Sequence, residues 1–542
     1  MQDDFPLTLT HVLERMRTLN AGAEIVTLRD GDGTRTRASF GEVSERVDRL
    51  AAALLAHGIA PGDRVGTFAW NTQEHAELYM AIPCIGSVLH TLNIRLFPEQ
   101  LAYVVNHAED RIIFVDDSLV PLLERVADQL TTVELFVVIG DGDAGSLTPV
   151  VRYEELLAGA EPLAEYPTLD ERAAAALCYT SGTTGNPKGV MYSHRSTLLH
   201  ALSTGLSEAL GVTSRDRVLP IVPQFHANAW GLVHGSFLIG ASLVMPGRFL
   251  QAEPLARLIQ EESVSMSGAV PTIWMDMLRY LDTHPEVKLS SLRRVVCGGS
   301  AVPRALMEPL EQRHEISIIH AWGMTETSPL ASVAQPPADA EGEQLWSYRL
   351  SQGKIAPLVE ARIVDDSGQP LPWDGESTGE VQVRGPWIAA AYYQDAQGSR
   401  EKFQDGWLRT GDVASIDARG YIRISDRTKD IIKSGGEWIS SVELENELMA
   451  HPSVREAAVI AIPDERFSER PLGCVVVDSE VSVSQLRDHL RDRVAKWWIP
   501  DVFAFIEEVP KTSVGKFDKK VLRQQLAEGT LEVVPAAEPA AT

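Results

Sequence analysis

Cysteine and positive charge are what this 542-residue chain has least of. Its four cysteines, Cys84, Cys178, Cys297 and Cys474, stand far apart and form no Cys-x-x-Cys pair. That spacing indicates neither a disulfide framework nor a zinc site, and it fits a reducing compartment. Basic residues number 49 against 75 acidic ones, a formal net charge of −26. Nucleic acid and an anionic membrane surface are thereby poor electrostatic partners, although a local basic pocket for a small anion is compatible with such a total. The N-terminal run Met1-Gln-Asp-Asp-Phe-Pro6 lacks the basic and apolar regions of a secretory signal, so a cytoplasmic location is expected. Residues 218–247 contain no Asp, Glu, Lys or Arg and are long enough to cross a bilayer. Pro220, Pro223, Gln224, His226, Asn228 and His234 interrupt them, however, and unpaired polar groups in lipid are costly. A buried strand–loop–helix is expected there, with no integral membrane segment.

The length exceeds one ordinary core and predicts at least two domains, and 44% hydrophobic with 23% charged residues is a globular balance. Ser39-Phe-Gly-Glu42 reads as a capping box ahead of a helix with Val43, Val47, Leu50 and Leu54 on one face. Strands are expected at 64–69, 111–115, 218–222, 242–245 and 293–297, with a helix at 74–85 between them. The alternation predicts an α/β architecture with largely parallel sheets. From about residue 350 turn signals become dense around short alternating runs such as 380–383 and 421–424, which suggests a small β-rich unit. After Asp426 the pattern is β/α again: a helix at 442–449, strands at 457–461 and 473–477, and a helix at 483–494. The expected division is an N-terminal domain over 1–425, with the β-rich unit at about 350–425, and a C-terminal lid over 426–530. Residues 531–542, rich in Ala, Pro and Glu, are expected to be a disordered tail.

Five segments carry chemistry. Residues 178–190, Cys-Tyr-Thr-Ser-Gly-Thr-Thr-Gly-Asn-Pro-Lys-Gly-Val, set hydroxyls and glycines before Lys188 at the end of a buried strand. Glycines let backbone N–H groups approach an anion, and the hydroxyls and lysine add donors and charge. The pattern is not the Walker A loop Gly-x-x-x-x-Gly-Lys-Ser/Thr, because Pro187 precedes Lys188 and Gly189-Val190 follow it. His320-Ala-Trp-Gly-Met-Thr-Glu-Thr327 supplies an aromatic face, a tight turn, a hydroxyl and a carboxylate, parts suited to stacking a base and holding Mg²⁺ beside phosphates. The others are Trp407-Leu-Arg-Thr-Gly-Asp412, the run from Ser425 to Ser441, and Pro510-Lys-Thr-Ser-Val-Gly-Lys516. Singly, each has an ordinary reading as a turn or a solvated charged loop.

Together and in this order, they resemble the AMP-forming adenylating enzymes: acyl-CoA synthetases, luciferases and the adenylation domains of peptide synthetases. The resemblance runs from about residue 10 to 525. It implies a nucleotide site that includes Thr180, Ser181, Gly182, Thr183, Thr184 and Lys188 of the first loop. Thr184 and Glu326 would ligate Mg²⁺, Trp322 would flank adenine beside Gly299, His320, Ala321 and Gly323, and Thr325 would touch phosphate. By the same resemblance Asp412 and Arg427 meet the ribose, and Asp426 is the hinge between domains. Lys429, Lys433, Gly435, Glu437 and Trp438 line the nucleotide or pantetheine side, and Lys516 is the adenylation lysine.

Phe225-His-Ala-Asn-Ala-Trp230 occupies the place where amino-acid-activating members carry an aspartate, and no acidic residue follows until Glu253. With Trp322-Gly-Met-Thr-Glu and Gly-Gly-Glu-Trp438, it looks most similar to bacterial medium- and long-chain fatty acyl-CoA synthetases. His226, Ala227 and Trp230 are then substrate-side residues, and Trp230 either gates an acyl tunnel or is plain core. The implied reaction takes a fatty acid through acyl-AMP to acyl-CoA, with ATP, Mg²⁺ and coenzyme A, in a homodimer. A ligase for a short or aryl acid such as methylmercaptopropionate shares these features. A luciferase-like monooxygenase and an ATP-binding pseudoenzyme stand further off.

Overall fold

Ser39 starts the helix Phe40–Ala56 in the way its sequence predicts. Its hydroxyl accepts the Glu42 N–H while the Glu42 carboxylate accepts the Ser39 N–H at 2.8 Å, a cap worth about 1 kcal/mol. Val43, Val47, Leu50 and Leu54 of that helix are fully buried. The computed structural model describes residues 2, 4–180, 186–427, 430–434, 437–464, 466–512 and 517–535, with only the backbone of Glu437 and Trp438.

Two large sheets carry the first four-fifths of the described chain. One has seven strands, in the order Val150–Arg152, Leu135–Ile139, Asp110–Asp116, Arg64–Phe68, Val88–Thr91, Ala174–Tyr179 and Gly189–Ser193. All its pairings are parallel except the last, which is an antiparallel hairpin. The other has fourteen strands and changes character in the middle. Glu24–Leu28, Ser242–Met245, Arg217–Pro220, Met266–Ala269, Arg294–Gly298 and Ser317–Gly323 pair in parallel. From Leu330–Val333 onward, through Gly353–Ile355, Tyr421–Arg427, Trp407–Ile416, Gly379–Arg384 and Glu360–Val364, every pairing is antiparallel. Ligands in open α/β sheets collect outside the carboxyl ends of the parallel strands, and the parallel strand Ser317–Gly323 ends where pairing becomes antiparallel, between Gly323 and Leu330.

The β-rich stretch after residue 350 is present, but its strands extend this same large sheet through Gly353–Ile355. Periodicity shows that a segment is a strand; it does not show which edge the strand will pair with. The uncharged stretch at 218–247 folds as a strand, a turn, the helix Leu232–Ile239 and the strand Ser242–Met245. Among the described residues no helix is long and apolar enough to cross a membrane. All four cysteines are buried and unpaired.

The C-terminal part has a six-stranded sheet of its own and a core built on Leu444, Leu448, Val475, Leu486 and Phe503. Three helices pack with it: Ser441–Met449, Val483–Leu490 and Lys519–Ala527. The second ends four residues before the expected 494. The expectation of a disordered tail fails for residues 531–535. Leu531 is 9% exposed and packs with Ala504, Val509 and Leu522, and Val534–Pro535 pairs with Val502–Phe505. An apolar Leu-x-Val-Val run found a groove that composition alone does not reveal, while residues 536–542 lie outside the described residues. Asp426 sits near the end of Tyr421–Arg427, 1% exposed, with its carboxylate accepting the Ser441 N–H at 2.8 Å and the Ser441 hydroxyl at 2.5 Å.

Candidate active site

The glycine-rich segment is flanked by the antiparallel strands Ala174–Tyr179 and Gly189–Ser193. Residues 181–185, which include Ser181, Gly182, Thr183 and Thr184, lie outside the described residues. Its two ends are tied together: the Thr180 N–H donates to the Lys188 carbonyl at 2.9 Å, and the Lys188 N–H to the Thr180 hydroxyl at 3.1 Å.

Trp322 and Gly323 end the strand at the parallel-to-antiparallel switch. A Cβ at Gly323 would collide with the Pro329 carbonyl oxygen at 1.7 Å, so the turn requires glycine. The Trp322 indole donates to Asp412 Oδ2 at 3.0 Å, and Arg427 Nε lies 3.4 Å from Asp412 Oδ1. Asp412 and Arg427 face each other across neighbouring strands. Three sequence segments, at Trp322, Asp412 and Arg427, thus meet at one carboxylate, which is 6% exposed. Burial makes such a carboxylate depend on its donors, and two of them come from residues that the sequence resemblance assigns to the same nucleotide.

A second cluster forms around Glu326, which is 5% exposed on the short helical turn Thr325–Thr327. Tyr392 donates its hydroxyl to Glu326 Oε1 at 2.6 Å. Burial first, and then the Glu326 charge, push the Tyr392 hydroxyl far above its ordinary pKa, so it remains a donor. Lys188 Nζ lies 4.9 Å from the centre of the Tyr392 ring and 3.4 Å from Asp395 Oδ2. Asp395 caps the helix Ala396–Lys402 by accepting the Gly398 N–H at 2.8 Å. Thr325 accepts the Tyr192 hydroxyl on its carbonyl at 2.7 Å. Because the Tyr392 bond occupies one Glu326 oxygen and fixes the carboxyl plane, the group fits a hard divalent cation.

Sequence reasoning missed Tyr392, Asp395 and Lys402. The signal available was Asp395 followed three residues later by Gly398 at a helix start, next to a Tyr-Tyr pair. Nothing in that pattern shows the pairing of Tyr393 with Gly189 that docks the segment on the hairpin.

The residues expected on the acid side form a left-handed turn. Ala227, Asn228, Ala229 and Trp230 have φ of 43°, 49°, 50° and 56°. Each costs about 1–2 kcal/mol for an L-residue, so the turn persists only because its surroundings hold it. The Cys178 thiol donates to Asn228 Oδ1 at 3.2 Å, and the His226 N–H donates to the Pro223 carbonyl at 3.0 Å. Asn228 Nδ2 is buried with no partner among the described residues, and an orphan donor of this kind calls for an explanation such as a functional role. The Trp230 indole lies over strand glycines, where methyl groups at Gly298 and Gly268 would meet it at 3.7 and 3.9 Å. Gly298 pairs with Ala321, one residue from Trp322, so the turn adjoins the nucleotide segment. Gly299 follows with φ of 89°.

His320 is 2% exposed and burial lowers its pKa to about 4, so it is neutral. On the C-terminal sheet, Lys433 is exposed, and its backbone N–H donates to Glu469 at 2.7 Å. Lys429, Gly435 and Lys516, and the side chains of Glu437 and Trp438, lie outside the described residues.

The sequence matches the family model described as AMP-binding enzyme over residues 17–393, and that of the AMP-binding enzyme C-terminal domain over residues 443–516. The chain belongs to the AMP-forming acyl-CoA synthetases. It is 42% identical to the 3-methylmercaptopropionyl-CoA ligase of Ruegeria lacuscaerulensis over 532 residues, which cover 96% of this chain and 98% of the relative. To the long-chain-fatty-acid–CoA ligase of Thermus thermophilus it is 44% identical, over 96% of each chain. The crystal structure of an anthranilate CoA ligase in complex with anthranoyl-AMP superposes with a TM-score of 0.88 at 28% identity, covering 97% of this chain and 99% of that one. An AMP-forming acid–CoA ligase with ATP and CoA as substrates accounts for the fold and both domain matches.

Proposed function

We propose that this synthetase activates a medium- or long-chain fatty acid. The observation that carries the reading is the wall around Trp230: a left-handed turn within a stretch that has no charged residue from 218 to 247. An alkyl chain gains from such a wall, whereas an α-ammonium group would lack a counter-ion there. The similarity to a long-chain-fatty-acid–CoA ligase supports it.

The chemistry divides into two displacements. A carboxylate oxygen of the acid attacks the α-phosphorus of ATP, the bond to the bridging oxygen breaks, and pyrophosphate leaves with the electron pair. The CoA sulfur then attacks the acyl carbon of acyl-AMP, and AMP departs as the thioester forms. No protein nucleophile is needed, so catalysis consists of positioning and charge stabilisation.

Trp322, Gly299, His320, Ala321 and Gly323 hold the adenine end, Asp412 and Arg427 the ribose, and Thr180–Thr184, Lys188 and Thr325 the phosphates. Glu326 and Thr184 would hold Mg²⁺, which offsets phosphate charge when bound. Lys516 serves the first displacement, and rotation about Asp426 brings the Lys433–Trp438 side to the thioester step. His226, Ala227 and Trp230 face the acid. The protein is proposed to work in the cytoplasm as a homodimer.

A second reading, methylmercaptopropionate or another short acid, is favoured by the 42% identity to the Ruegeria enzyme. AMP release with ATP and Mg²⁺ decides between them, measured over acids from propionate and methylmercaptopropionate through benzoate to palmitate, with and without CoA. CoA-dependent turnover that peaks at medium or long chains is expected. A peak at methylmercaptopropionate or aryl acids replaces the substrate and leaves the reaction intact. Oxygen uptake without thioester would place the protein with the luciferase-like monooxygenases.

A further inference from the structure

One cation of the site has no role in the mechanism above. Lys402 closes the helix Ala396–Lys402, and its ammonium donates to the Thr410 carbonyl at 3.0 Å. It lies against Thr410-Gly411-Asp412 of the strand Trp407–Ile416, where a methyl group at Gly411 would come within 3.3 Å of Nζ. Glu326 and Asp412 are the first carboxylates whose charge it feels, with Glu380 and Arg427 beside them. Burial works against that charge and depresses the Lys402 pKa below its ordinary value, the carboxylates opposing the fall.

The described hydrogen bond of this ammonium goes to a neutral carbonyl, although the charges of Glu326 and Asp412 reach it. Those carboxylates are already supplied: Asp412 by Trp322 and Arg427, Glu326 by Tyr392. An ammonium has three donors, and a desolvated one without an anion to meet is costly. Asp412, next to the Gly411 that Lys402 packs against, is proposed for the ribose, and Glu326, whose charge also reaches the ammonium, for the phosphate-bound cation; a phosphate joined to the ribose would lie between those two groups.

We propose that Lys402 is a fixed α-phosphate-binding residue, which holds the nucleotide phosphate both in the adenylation step and in the departure of AMP from acyl-AMP. The proposal rests on the acyl-adenylate reading above. That reading gives the first step a lysine on the C-terminal part, Lys516, which is carried away before the second. Lys402 cannot leave in that way. Its helix is held to the preceding segment by Tyr392 N–H to Ser399 Oγ at 2.9 Å, and that segment to the hairpin by Lys188 to Asp395 and by Tyr393 N–H to the Gly189 carbonyl at 2.8 Å, while Lys402 itself bonds Thr410 of the large sheet. In the second displacement, negative charge grows on the phosphate as the acyl C–O bond breaks. A cation already in place stabilises it without reorganisation.

The test compares wild type with Lys402→Met, which keeps the apolar stem, and Lys402→Arg, which restores a cation. Calorimetry measures AMP and adenosine binding, and thioester formation is followed from supplied lauroyl-AMP and CoA. For Lys402→Met, AMP affinity and the thioester rate are expected to fall about ten- to a hundredfold, the size of a lost charge-assisted hydrogen bond, while adenosine affinity stays within about twofold. Lys402→Arg recovers much of the loss. Lys516→Ala, by contrast, retains the thioester rate. Equal AMP affinity in wild type and Lys402→Met overturns the proposal, and so does an equal loss of AMP and adenosine affinity, which marks a structural role. If the wild type turns over no acid, the acyl-adenylate reading fails by itself, and the AMP–adenosine comparison still decides Lys402.

Discussion

The indole N–H of Trp322 reaches Asp412 Oδ2 at 3.0 Å and ties the aromatic–glycine segment to the Thr-Gly-Asp segment ninety residues on. A tyrosine at 322 would present its hydroxyl from a different place on its ring, so indole and aspartate work here as a pair. The tie crosses the large sheet where parallel pairing gives way to antiparallel. The proposed adenine-stacking face and the proposed ribose acceptor are thereby held in one unit.

Trp322→Phe keeps a stacking ring and removes the donor. It is expected to weaken ATP and AMP binding about tenfold, the cost of removing one hydrogen bond from a mostly buried carboxylate that retains Arg427. KM for ATP should rise with kcat little changed. An unaltered KM would show that the indole contact does not orient Asp412 toward the nucleotide.

Tyr392→Phe tests the Glu326 cluster. The hydroxyl donates to Glu326 at 2.6 Å, and outer partners of a metal-binding carboxylate commonly contribute about ten- to a hundredfold in affinity. The Mg²⁺ concentration for half-maximal activity at fixed ATP should rise about tenfold. A titration curve that superposes on wild type would show that the Tyr392 hydroxyl does not tune Glu326 for the cation.

Acid should unfold the N-terminal part through its buried histidines. Burial lowers the pKa of His75, His194, His234 and His320 to about 4, and that of His200 to about 3, from 6.5. Two of them accept backbone N–H groups and so are held neutral: His194 from Leu9 at 3.3 Å and His200 from Leu330 at 3.2 Å. The unfolded chain binds these protons below its own pKa and the fold does not, so the contribution to stability is full above pH 6.5. It is lost as pH falls toward 4, each histidine giving up about 1.4 kcal/mol for every pH unit between its unfolded and folded pKa. The thermal midpoint should fall steeply between pH 6.5 and 4.5, and less so in His200→Gln. A flat profile over that window would mean that the histidines titrate normally.

Local signals carried much of the fold. The capping box at Ser39, the buried strand before the glycine-rich loop and the strand at Ser242–Met245 appear where their side-chain patterns put them. Pairing partners were not legible, because the partner of Gly353–Ile355 depends on which edge the preceding chain leaves open. The candidate site divides along the same line. Trp322, Glu326 and Asp412 stand in compact motifs. Tyr392 and Lys402 belong to no motif and enter only because the helix Ala396–Lys402 docks on the hairpin and on Thr410. The strain at 227–230 was equally hidden, since Ala-Asn-Ala-Trp contains no glycine to announce a left-handed turn.

That turn leads to the most direct test of the proposed acid side. Four consecutive left-handed residues aim Trp230 at Gly268 and Gly298, which have no side chains to oppose the ring. If the indole closes the space an acyl chain must enter, Trp230→Ala opens it, and longer acids gain relative to shorter ones. Each added methylene is worth about 1 kcal/mol in an apolar pocket, so the palmitate-to-butyrate ratio of kcat/KM should rise about tenfold or more. Using the ratio separates selectivity from any general loss of stability, which affects both acids alike. An unchanged ratio would mean that Trp230 is core packing and that another wall sets acid length.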